Sequence, residues 1–176
     1  MGKRLVGQLL SEEQIRARVR EMAAEISRAY QGQQVLVVGI LKGAFVFCAD
    51  LVRHLTVPAQ VDFMAVSSYG NATESSGVIR ILKDLDASVE GRHVLLVEDI
   101  VDSGLTLRYL KEYLAHQGPA SLRVAVLLDK PSRRRTEVVV DYVGFSIPDE
   151  FIVGYGIDYA EQYRHLPYIG IIGDGE

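Results

Sequence analysis

Val94-Leu95-Leu96-Val97-Glu98-Asp99-Ile100-Val101-Asp102-Ser103-Gly104-Leu105-Thr106 decides the fold. It opens as a short apolar run from His93 to Val97, the signature of a buried strand. Glu98 and Asp99 follow at the strand's end, and Asp102 comes three residues after Asp99. Ser103-Gly104-Leu105-Thr106 then opens a helix over Thr106–Gln117, with Leu107, Leu110 and Leu114 on one face. Ligands of open α/β sheets bind beyond the carboxyl ends of strands. A glycine-containing loop at a helix N-terminus presents backbone N–H groups that suit a phosphate. Ser103 and Thr106 add hydroxyls. Carboxylates would repel a bare phosphate, so the acids point to sugar hydroxyls, a metal ion, or both.

Outward from this stretch the pattern alternates. Ser11-Glu12-Glu13-Gln14 reads as a capping box, and Ile15, Val19, Met22 and Ile26 recur at helical spacing until Gly32. Val35–Ile40 is strand-like; Phe45, Cys48, Ala49, Val52 and Leu55 form a helical pattern closed by Pro58. Further strands are expected at Val61–Ser68, Val78–Leu82, Arg123–Leu128, Val138–Val143 and Phe151–Val153, with a polar loop over Tyr69–Gly77. Strand and helix alternate through Val35–Leu128, so an α/β fold with a mostly parallel central sheet flanked by helices is predicted. The later strands lack helices between them and suit a small flap.

The length of 176 residues suits one domain. With 19 basic and 23 acidic residues the formal charge is −4, which argues against a non-specific nucleic-acid binder. Arg133-Arg134-Arg135 is too short for a basic tail and reads as a solvated loop. The lone cysteine, Cys48, sits among apolar residues and suits a reducing, cytoplasmic setting. No secretion leader and no membrane span are expected. His54, His93, His116 and His165 lack zinc-ligand spacing. No Walker A loop or dinucleotide fingerprint occurs, and Gly154-Tyr155-Gly156 is too short to serve as one.

Val94–Thr106 resembles the phosphoribosyl pyrophosphate (PRPP) signature of type I phosphoribosyltransferases. Gly39–Gly43, Ser68-Tyr69, Leu127–Lys130, Gly144–Tyr155, Asp158–Arg164 and Leu166–Gly170 resemble, in order, the motifs of that family's hypoxanthine-guanine branch. The resemblance implies a single domain over residues 1–176. Its core would cover about residues 35–145, with a purine-binding hood from about 1–15 and 146–176. It implies Mg²⁺-dependent transfer from PRPP to N9 of hypoxanthine or guanine, giving IMP or GMP and pyrophosphate. A homodimer or homotetramer is implied too.

The same resemblance assigns residues. Glu98, Asp99, Asp102, Ser103, Gly104, Leu105 and Thr106 would bind PRPP, with Asp102 as general base or acid at N7 of the purine. Leu105 stands where many relatives carry lysine, which removes one cation but not the backbone cradle. Leu41, Lys42, Gly43 and Arg164 would bind pyrophosphate, with a cis Leu41–Lys42 peptide allowed. Ser68 and Tyr69 would belong to a closing lid. Lys130, Phe151, Ile152 and Asp158 would bind the purine. Lys130 would donate to its 6-oxo group, a preference that fits an ammonium with no acceptor. Glu98, Asp99 and Asp158 would hold the metal. An Asp158–Arg164 ion pair is the plain alternative at those positions, outweighed by the surrounding match. A PRPP-sensing regulator on the same fold, and an enzyme preferring xanthine, are the competing readings.

Overall fold

The computed structural model describes residues 2–69 and 78–175, less the side chains of Ser68 and Tyr69. The chain runs β1 (Lys3–Leu10), α1 (Glu12–Ala29), β2 (Val35–Leu41), α2 (Phe45–His54), β3 (Ala59–Tyr69) and β4 (Val78–Lys83). It continues through β5 (His93–Val101), α3 (Leu105–Ala115), β6 (Ser121–Asp129), β7 (Tyr142–Ser146), β8 (Ile152–Val153) and β9 (Ile169–Asp174).

A six-stranded sheet is ordered β4-β3-β2-β5-β6-β7, parallel except where β4 returns beside β3. Side chains alternate across it. Val35, Val37, Leu95 and Val97 pack with Ile15, Val19, Met22 and Ile26 of α1 and with Phe47 and Leu51 of α2. Leu36, Val38, Val94 and Leu96 pack on the other face with Leu107, Leu110 and Leu114 of α3. The central strands are therefore covered on both faces, as parallel sheets require. Ser11 caps α1 as expected, in a reciprocal box with Gln14.

The chain leaves β2 toward β3 on one side and leaves β5 toward β6 on the other. The order reverses between β2 and β5, and the crevice at their carboxyl ends is the switch point where open α/β sheets bind ligands. The loops that follow these two strands, from Lys42 and from Asp102, open onto it.

A second, antiparallel sheet of three strands, β1-β9-β8, joins the two ends of the chain into a hood. β1 and β9 had no strand expectation. Glycines interrupt both patterns, and at Gly170 a methyl would have to push aside the Leu5 side chain, whose Cδ1 would lie 2.4 Å away.

Three other expectations shift. β5 continues through Val101, paired with Asp129 of β6, so Glu98 and Asp99 lie inside the strand rather than beyond it. β3 runs through Tyr69, one residue past the expected strand end, so Tyr69 is a strand residue and not the start of the loop. Residues 70–77, the rest of the expected loop and lid, lie outside the described residues. Val138–Asp141 is not strand. Val138 and Val140 pack beside α3, the Val139 carbonyl accepts from Lys111, and ladder pairing starts at Tyr142. Among the described residues no helix is long and apolar enough to cross a membrane.

Candidate active site

A cavity of about 220 Å³ opens at the switch point. Leu41 and Gly43 line one wall, and Glu98, Asp99, Asp102, Ser103, Gly104 and Thr106 line the other. A larger cavity of about 750 Å³ lies between α1, α2 and residues 164–167. It includes Arg164 but none of the β5 acids, which line the smaller one.

Glu98 and Asp99 dominate its electrostatics. Burial pushes the Glu98 carboxyl well above its ordinary value, and the neighbouring Asp99 charge adds to the rise. Burial raises Asp99 too, opposed by its hydrogen bonds and by the charge of Arg164. Gly43 is required here: a methyl on it would fall 2.1 Å from Asp99 Oδ2. The Leu41–Lys42 peptide is cis.

The loop after β5 turns at Gly104, whose φ of 82° is left-handed and suits glycine. Asp102 is exposed at the rim, and its carboxylate accepts the Ser103 N–H. Ser103 Oγ accepts from the Leu105 N–H at 3.3 Å. Asp102, Ser103, Gly104 and Thr106 thus come together as a phosphate-type turn at a helix start. Leu105 opens α3, and its side chain is partly buried.

Residues 154–164 lie beside the loop after β2. The segment is wound tightly, with left-handed φ at Tyr155 (51°), Ala160 (51°), Glu161 (63°) and Tyr163 (74°). Such backbone persists only where the surroundings enforce it. Tyr155 fastens one end, donating its hydroxyl to Asp50 of α2. Gly156 lies against the loop after β2: a methyl there would fall 2.6 Å from the Gly43 carbonyl. Arg164 donates to the Gly156 carbonyl at 2.8 Å and meets Asp158 at 3.4 Å and Glu161 at 3.3 Å. Lys42 meets Glu161 at 3.2 Å. The Asp158–Arg164 ion pair, judged the lesser alternative from sequence, is therefore formed. Glu161 was not anticipated. It is a single acid between cations 119 and three residues away in sequence, a link visible only in the fold.

Lys130 directly follows β6, its N–H donating to the Val101 carbonyl at 2.9 Å. The side chain is buried, and burial lowers its pKa against the opposing charges of Asp149 and Asp102. Asp149 is 3.9 Å away, a loose pairing. In the hood Ile152 is buried, whereas Phe151 is 46% exposed, with Tyr159 edge-on at 5.4 Å and Lys3 Nζ 5.4 Å from its ring centre. An aromatic this open is available to stack on a planar ring.

Arg134 was read as part of a solvated run, and the structure corrects this. Its side chain is 23% exposed and meets Asp129 Oδ1 at 2.7 Å. It also donates to the Asp102 carbonyl at 3.1 Å.

Among the described residues no three His, Cys, Asp or Glu side chains gather into a metal cage. Glu98, Asp99 and Asp158 offer oxygen donors only, which suits a hard cation bound through few protein ligands and substrate oxygens.

Residues 6–160 match the phosphoribosyl transferase domain family. A hypoxanthine-guanine phosphoribosyltransferase of Bacillus subtilis is 54% identical over 164 residues, covering 93% of this chain and 91% of its own length. A hypoxanthine phosphoribosyltransferase of Escherichia coli is 51% identical over 170 residues, covering 96% of each. The crystal structure of a hypoxanthine-guanine phosphoribosyltransferase from Bacillus anthracis superposes with a TM-score of 0.92 at 46% identity, covering 98% of this chain and 100% of that one.

The raised Glu98 carboxyl makes a pH prediction. A folded-state pKa above the ordinary 4.5 means the folded chain holds a proton that the unfolded chain releases. Wild-type stability from this group is complete below that value and is lost as pH rises through the folded pKa. Glu98→Gln has no such proton to lose. In metal-free buffer its urea midpoint should exceed that of wild type at alkaline pH, with the gap closing toward pH 4.5. A gap independent of pH would contradict the raised value.

Proposed function

The chain belongs to the phosphoribosyl transferase family, and from that premise we propose that it makes IMP or GMP from PRPP and hypoxanthine or guanine. The observation that carries this reading is the convergence of Glu98–Gly104 and Thr106 with Leu41 and Gly43 on one cavity at the switch point.

The reaction forms a bond from purine N9 to C1 of the ribose and breaks the bond from C1 to pyrophosphate, whose oxygen takes the electron pair. Negative charge must be held at both ends of the sugar. The Asp102–Thr106 loop binds the 5-phosphate through backbone N–H groups and hydroxyls. Leu105 contributes its N–H there and no cation. Leu41, Lys42, Gly43 and Arg164 bind pyrophosphate, and the planar fork of Arg164 suits its oxygens. Lys42 pairs with Glu161, and Arg164 pairs with Glu161 and Asp158. Pyrophosphate competes for cations already directed at the site.

Glu98 and Asp99 hold the ribose hydroxyls, directly or with Mg²⁺, and Asp158 is the third carboxylate offered to the metal. Bound Mg²⁺ would neutralise charge on the leaving pyrophosphate. Asp102 is exposed and free to turn its carboxylate to N7, where it takes up the proton as positive charge builds in the ring. Lys130 donates to the 6-oxo group. A buried ammonium has no acceptor to offer a 6-amino group, so adenine is disfavoured. Phe151 stacks on the base and the Ile152 backbone meets its edge. Ser68 and Tyr69 lead into a lid that excludes water. Residues 1–176 act as one domain, with the purine held under the hood. The enzyme works in the cytoplasm as a homodimer or homotetramer.

The direct test is a purine panel with PRPP and Mg²⁺. Hypoxanthine and guanine should yield nucleotide and pyrophosphate, and adenine should not. Binding of PRPP without product from any purine would overturn the reading in favour of a sensor. Asp102→Ala should lower kcat by about 100-fold or more while changing PRPP affinity far less. Equal losses in both would remove the proton-transfer role.

A further inference from the structure

Residues 134–136 hold the phosphate-type loop from behind. Arg134 donates through Nη1 to the Asp102 carbonyl and through Nη2 to Asp129 Oδ1, at 3.1 and 2.7 Å. The N–H groups of Arg135 and Thr136 donate to the Ser103 carbonyl at 2.9 and 3.3 Å. In a planar trans peptide the carbonyl and the following N–H point in opposite directions. Drawing the carbonyls of Asp102 and Ser103 toward this segment therefore turns the N–H groups of Ser103 and Gly104 away from it. Those are the first donors of the loop: the Ser103 N–H meets the carboxylate of its own neighbour Asp102, an acceptor that a phosphate oxygen would replace, and the Gly104 N–H follows it.

Arg134 has the geometry to set this orientation. Asp129 is the last residue of β6 and pairs in register with Val101, the last of β5. A guanidinium fork that spans Asp129 and the Asp102 carbonyl fixes the loop relative to both strand ends. The ion pair is largely withdrawn from water, with side-chain exposures of 23% and 14%. It is thus firmer than a solvated surface pair. Its stem is close-packed: a methyl on Gly104 would come within 3.2 Å of Arg134 Cδ. By contrast, the Arg133 side chain is exposed and meets Asp149 at 3.6 Å.

We propose that Arg134 is the positioning residue that presets the loop N–H groups for a sugar 5-phosphate, a role that rests on reading Asp102–Thr106 as the phosphate site. Arg134 touches no reacting atom. It acts through the Asp102–Ser103 peptide, so its loss weakens the phosphate end of the substrate selectively.

The test compares wild type with Arg134→Met, which keeps the alkyl stem and removes the fork. Ribose 5-phosphate binding is measured by calorimetry, and KM is measured separately for PRPP and for hypoxanthine. The variant should bind ribose 5-phosphate about tenfold or more weakly and raise the PRPP KM similarly, with the hypoxanthine KM within about twofold of wild type. Unchanged ribose 5-phosphate affinity, or an equal rise in both KM values, would overturn the proposal. The second pattern would mark a merely structural clamp. Wild-type protein that binds ribose 5-phosphate yet makes no nucleotide would defeat the transferase reading alone, and the calorimetric comparison would still decide the role of Arg134. Wild-type protein that does not bind it would defeat both. If Arg134→Met does not fold, Asp129→Asn frees the other end of the fork and carries the same comparison, with the same direction expected.

Discussion

Two neighbouring carboxylates, Glu98 buried and Asp99 half-buried, lie within the last paired residues of the central strand β5. Burying like charges together is unfavourable, and both carboxyls respond with raised pKa values. Each neighbour fits around this constraint. The strand is held in place by β2 and β6 on its two edges. Gly43 leaves room for Asp99. The charge of Arg164 acts on Asp99 in the opposite sense to burial. A pair of acids kept here at such cost is suited to hydroxyls or a cation that arrive with a ligand.

The remaining charges are organised as pairs that a polyanion can exchange. Lys42 and Arg164 share Glu161, and Arg164 also meets Asp158. Arg164 meets its acids locally, whereas Lys42 reaches Glu161 across 119 residues of sequence. The wound segment 154–163 makes these contacts possible, and Tyr155 fastens it to α2 through Asp50. The sheet supplies the rigid edge of the site, and the adaptable cations come from loops resting on it.

Much of this was legible in the sequence for identifiable reasons. The apolar runs of β2, β5 and β6 are continuous because these strands are buried on both faces. Ser103-Gly104 before a helical pattern marks a loop that only a few folds use. Other elements left weaker traces. β1 and β9 pair across the whole chain length, and glycine breaks their alternation, so neither reads as a strand alone. Val138–Val140 looks like a strand because it is apolar, yet it packs beside α3 without ladder bonds. Arg134 was hidden among three arginines. Local sequence does not tell which member of a basic run turns inward to Asp129 and the Asp102 carbonyl.

The central claim is that the turn after β5 receives a phosphate while the neighbouring acids face a sugar. A crystal structure with bound IMP tests it most directly. The expected result places the phosphate within hydrogen-bonding distance of the N–H groups of residues 103–106, with the ribose hydroxyls toward Glu98 and Asp99. Phosphate bound instead in the larger cavity beside Arg16, Arg20 and Arg53, leaving the β5 loop empty, would contradict it.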